Sequence, residues 1–214
     1  QWSDHDFFVI VPPGLQPAFR QNLSWLPRSK TIVLSFSETE HGVKVIYDSG
    51  HLLEFAVFAP EELVVVMANR YRVLLDRAGV AQAMAERVQA TAANIAANTL
   101  TTDSYYFGQF LTGLLVGHGR YQRGEQLSGH VFIKDYATRH LLTLLARHVV
   151  PAADRAQLDN LDPFRRFERV YPALGAEMQA LQLLPPPETA VGLLAIARRE
   201  LAGRMDDYPE TAVA

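Results

Sequence analysis

Near residue 80 the chain changes texture, and few folds accommodate that change. Ahead of it, short apolar runs are cut apart by proline, glycine and turn residues. Beyond it, residues 80–97 are rich in alanine, glutamine and glutamate, which form or tolerate helix. Residues 7–11 are a continuous apolar run stopped by Pro12-Pro13-Gly14, the pattern of a buried strand ended by a turn. Leu15, Phe19, Leu23 and Leu26 recur at helical spacing and are closed by Pro27. Residues 31–36 are β-branched and apolar. After Gly42, Val43, Val45 and Tyr47 alternate with Lys44 and Ile46; Asp48-Ser49-Gly50 supplies a turn, and residues 52–58 form the next strand. Residues 72–76 read as one strand more, ended near Gly79.

In the second part, Asp103 is positioned to cap a helix through Tyr106, Phe110 and Leu114. A third helix is predicted over residues 127–149, before Pro151. A fourth opens at Asp162-Pro163, with proline in the first turn. The last follows Pro185-Pro186-Pro187 and runs to about Met205, leaving Asp206-Asp207 in a frayed tail. The expected class is therefore α+β: a small mixed-sheet domain over residues 1–78, then an α-helical bundle domain over residues 79–214. A chain of 214 residues can bury a substantial core, and 49% hydrophobic with 20% charged residues is ordinary for a globular protein. A net charge of -3 provides no basic field, so nucleic acid is not an expected partner. The absence of cysteine excludes disulfides, thiolate zinc sites and cysteine nucleophiles. No apolar run approaches the roughly 20 residues of a membrane helix, no signal peptide is visible, and cytoplasm is the default location. The chain opens Gln1-Trp2-Ser3-Asp4 and passes straight into an apolar run, which reads as an N-terminally truncated fragment.

Chemistry concentrates in three acids. Asp4 and Asp6 flank His5 at the start of the first strand, and side chains two apart on a strand share a face. Two adjacent carboxylates repel unless a cation neutralises them, and hard oxygen ligands favour Mg²⁺. A bare Asp-x-Asp is more often a solvated turn with capping aspartates than a metal site. Glu54 adds weight because it interrupts Leu52-Leu53-Glu54-Phe55-Ala56-Val57-Phe58, where glutamate is disfavoured and the flanking face is apolar. If that strand neighbours the first, Glu54 converges on the aspartates as a phosphoryl- or nucleotidyl-transfer site.

Trp2-Ser3-Asp4-His5-Asp6-Phe7-Phe8-Val9-Ile10 resembles the second half of the nucleotidyltransferase signature, a Gly-Ser turn followed by a Ser-Asp-x-Asp strand start. The segment ending near Trp25-Leu26, His41-Gly42-Val43-Lys44-Val45, Leu74-Leu75-Asp76 and Arg123-Gly124-Glu125 extend the likeness to antibiotic nucleotidyltransferases of the lincosamide and aminoglycoside type. This resemblance implies that Asp4, Asp6 and Glu54 hold Mg²⁺, with Glu54 the general base or an additional ligand. It also implies that Ser3 and Arg123 contact the nucleotide. AMP from ATP, or another triphosphate's nucleotide, would pass to a hydroxyl of a small acceptor, with pyrophosphate released. The Gly-Ser turn that cradles phosphate in that family is missing ahead of Ser3. Two other readings stay open: a protein of this fold that modifies a protein partner, and a non-catalytic binding protein. A homodimer is left open too.

The remaining signals have plainer explanations. Tyr105, Tyr106, Phe107 and Phe110 read as an aromatic core stripe and Arg123 with Glu125 as a surface ion pair, although Tyr106 stacking on a ligand and Arg120 with Arg123 facing phosphate are the functional alternatives. Gly117-His118-Gly119 lacks a preceding strand and a Gly-Lys-Ser, so it predicts close helix packing or a bend. His130, His140 and His148 lack metal-ligand spacing. His5 is expected on the opposite face from the aspartates, and the charges at 159–168 form a solvated helix start.

Overall fold

A computed structural model describes residues 5–97, 102–159 and 161–213. The chain is α+β and divides into two compact units, Gln1–Ala97 and Asn98–Ala214.

The first unit is built on strands β1 (His5–Ile10), β2 (Ile32–Ser37), β3 (Gly42–Tyr47) and β4 (Leu52–Phe58). They lie in the order β1-β4-β3-β2, with β1 parallel to β4 and the other pairs antiparallel. Period-two alternation decides which face is dry. Val43, Val45, Tyr47, Leu53, Phe55 and Val57 are buried together, covered by Leu26, Phe19 and Trp25 from the connection after β1. Polar groups lock that cover: Trp25 Nε1 donates to the Phe19 carbonyl at 3.0 Å, and the Tyr47 hydroxyl donates to the Pro27 carbonyl at 2.9 Å. The helix expected across Leu15 to Leu26 is shorter. Helix α1 (Gln16–Gln21) stops at Asn22, whose extended backbone and side-chain bond to the Ser24 N–H start a separate 3₁₀ turn.

Helix α2 (Val80–Ala97) belongs with the sheet, so the division falls after it. Its Met84, Val80 and Ala83 close a small core with Phe58, Leu63 and Val66. The strand expected at 72–76 does not form; the segment is irregular, and Leu74 and Leu75 are exposed. Asp76 instead accepts the N–H groups of Ala78, Val80 and Ala81, committing the segment to starting α2.

The second unit is helical. Thr102, not Asp103, caps helix α3 (Asp103–Gln122) by accepting the Tyr105 N–H; Asp103 is drawn to Arg147 and His148, each at 2.7 Å. The third helix is not uniform. Helix α4 (Gln126–Val131) passes through a π-helical turn, Phe132–Ala137, into helix α5 (Thr138–His148). The Thr138 hydroxyl donates to the Ile133 carbonyl within that widened turn. Glycine lets α3 pack closely on α4 and the π-helical turn: a Cβ on Gly117 would stand 2.6 Å from Ile133 Cγ1, and one on Gly129 would stand 2.9 Å from the Gly117 carbonyl oxygen. The helix expected at Asp162-Pro163 is delayed to α6 (Phe167–Val170) and α7 (Pro172–Gln182), because Arg166 takes a left-handed conformation. Helix α8 (Pro186–Leu201) starts after Pro185 and ends short of Met205. The chain after α8 is packed, not frayed: Met205 is buried, and the Tyr208 ring meets Phe107 edge-on at 5.3 Å. Phe110, Ile133, Leu141, Leu145, Leu193 and Ile196 centre the core of this unit.

Candidate functional site

The face of the sheet opposite the dry core carries a straight row of residues. Asp6 on β1 is in register with Glu54 on β4, Glu54 with Lys44 on β3, and Lys44 with Phe36 on β2. In-register residues on paired strands point to the same face, with backbones about 4.8 Å apart. The first strand therefore does neighbour the strand of Glu54, and the two acids stand side by side. His5 is in register with Leu53, one step over to the other face, and its Nδ1 lies 2.9 Å from Nε2 of His51. Asp4 and Ser3 lie outside the described residues.

Glu54 sits in an interior strand and is 28% exposed at its side chain, with the Lys44 ammonium 3.1 Å away. Lys44 also reaches Glu38 at 2.7 Å. Glu38 first and Glu54 second hold the ammonium protonated beyond its ordinary value of 10.5. Glu38 is presented by the tight β2–β3 connection, where its N–H donates to the Gly42 carbonyl and the Gly42 N–H donates to Thr39 Oγ1. The face around Glu54 is thus more polar than its apolar sequence neighbours implied.

Residue type and spacing alone do not single out Lys44, but the hairpin contains the signal for it. With Asp48-Ser49-Gly50 as the turn, Tyr47 faces His51 and its N–H donates to the His51 carbonyl. Stepping back along both strands from that closing pair brings Lys44 opposite Glu54. Turn length sets hairpin register.

The pair Asp6 and Glu54 places hard oxygen donors on one face of the sheet. Such a pair suits Mg²⁺, which takes one or two protein carboxylates and completes its shell with water and phosphate. Among the described residues no group of three His, Asp or Glu gathers to hold a metal.

In the helical unit, Arg123 is exposed at the end of α3 with its Nε 3.2 Å from Glu125. Arg120 lies over the Phe132 ring at 4.3 Å and donates to Ser128 at 2.6 Å, partners different from those of Arg123. Phe107 and Phe110 enter the core, whereas Tyr105, Tyr106 and Tyr136 surround half-buried His140 with ring separations of 6.2, 5.7 and 4.8 Å. Burial first, and Arg139 second, hold His140 below its ordinary value of 6.5. Among the described residues no helix is long and apolar enough to cross a membrane. Neither a protein-family model nor a curated protein matches this sequence.

Proposed function

We propose that this chain is a cytoplasmic, Mg²⁺-dependent nucleotidyltransferase that moves AMP from ATP to a hydroxyl of a small acceptor, an antibiotic being one candidate. The observation that carries the reading is the register of Asp6 with Glu54 on adjacent parallel strands, which brings together acids far apart in sequence. Asp4, two residues before Asp6 in the sequence, is the third acid of the proposed set.

In this reaction the acceptor oxygen bonds to the α-phosphorus as the bond to the bridging oxygen breaks, and pyrophosphate leaves. Glu54 receives the acceptor's proton, or adds an oxygen ligand beside Asp4 and Asp6. The metal, when bound, neutralises charge that builds on the leaving pyrophosphate. The sheet's part is to hold Asp6 and Glu54 side by side, where the backbone ladder fixes their spacing. Ser3 and Arg123 are the proposed nucleotide contacts.

The test is pyrophosphate release in the presence of ATP, Mg²⁺ and a panel of hydroxylated antibiotics. Turnover should require both metal and acceptor, and should fall by about 10² or more in Asp4→Asn and Glu54→Gln. Turnover that survives both substitutions would falsify the assignment.

A further inference from the structure

We infer that Lys44 is a built-in cation that holds the Glu54 carboxylate until a divalent ion displaces it, Glu38 then retaining the lysine. This rests on the metal reading of the Asp6–Glu54 pair given above.

The argument starts from how the ammonium is shared. Lys44 Nζ stands 2.7 Å from Glu38 and 3.1 Å from Glu54, so the closer bond is to the acid outside the candidate set. Giving up Glu54 leaves the lysine still paired, and exchange strands no half-buried charge. The backbone favours the same exchange. Lys44 and Glu54 are directly opposite on antiparallel strands, whereas Glu38 is held from the β2–β3 turn. The lysine therefore has one partner on the sheet and one at its margin. A positive charge in contact with Glu54 opposes any cation approaching that carboxylate. Lys44 is a positioning residue in this scheme.

Binding of Mn²⁺ alone to the full chain, read from the electron paramagnetic resonance of the free ion, tests the idea. Lys44→Met should bind Mn²⁺ about five- to tenfold more tightly at low salt, and the gain should shrink as salt screens the contact. Lys44→Arg should keep affinity within about twofold of the parent because it keeps the charge. A merely structural role predicts the opposite sign, since a loosened sheet binds the ion less well. If Glu54→Gln weakens Mn²⁺ binding but Lys44→Met leaves it unchanged, the lysine exchange is wrong and the metal site stands. If Glu54→Gln also leaves binding unchanged, Glu54 is no ligand and both ideas fall.

Discussion

At Gly129 the chain has no room for a side chain. A methyl there would meet the Gly117 carbonyl oxygen at 2.9 Å and the Tyr121 backbone nitrogen at 3.0 Å, both atoms of the α3 main chain. Backbone cannot rotate aside as a side chain can, so Gly129→Ala should destabilise the protein by about 1–3 kcal/mol. Urea unfolding with an unchanged denaturant slope is the measurement; a change below about 0.5 kcal/mol would contradict the packing. The sequence left close helix packing or a bend open at the Gly117 cluster, and the contacts of Gly117 and Gly129 select packing. It did not reveal how Asp103 would be spent. A Thr-Asp pair at a helix start offers two oxygen acceptors, and the choice between them depends on Arg147 and His148, remote in sequence. Glu54 was legible as an anomaly within an apolar strand, but its counter-ion became legible only through the hairpin's register.

Among elements, legibility followed how much of each was local. The bounds of α2 coincide with the alanine-rich stretch because helix propensity and the Asp76 bonds act over a few residues. Asp76→Ala should therefore lower stability and speed amide exchange in the first turn of α2. Equal protection in both proteins would show that tertiary packing alone holds that end. The failed strand at 72–76 illustrates the converse: an apolar run becomes a strand only where a partner edge receives it, and the observed sheet does not extend to this segment. The π-helical turn Phe132–Ala137 was invisible in sequence, because one widened turn barely disturbs an apolar period of 3.6. Its Lys134 Nζ donates to the Gln182 carbonyl, a contact from α7 that no local pattern encodes.

For the whole molecule, the change of texture near residue 80 was enough to indicate a sheet-bearing part followed by helices, because composition averages over many residues. It was not enough to assign α2, whose companions Phe58, Leu63 and Val66 lie in the preceding segment. Stability should follow acid in a manner traceable to His140. Burial holds that imidazole below its ordinary 6.5, so the unfolded chain binds the proton more readily. The stability associated with a neutral His140 is complete above 6.5 and is lost as pH falls through the lower folded value. His140→Phe should flatten that part of the stability profile, and an unchanged slope in urea titrations across the window would argue against it. The hairpin between β3 and β4 also constrains how this lineage can diverge. One residue gained or lost in Asp48-Ser49-Gly50 would shift every facing pair and turn one strand's side chains over. Substitution there is permissible where the turn geometry survives, with Gly50 at φ 76° the demanding position. Related chains should therefore vary that turn in spelling and keep it constant in length, an inheritance written in a count of residues more than in their identities.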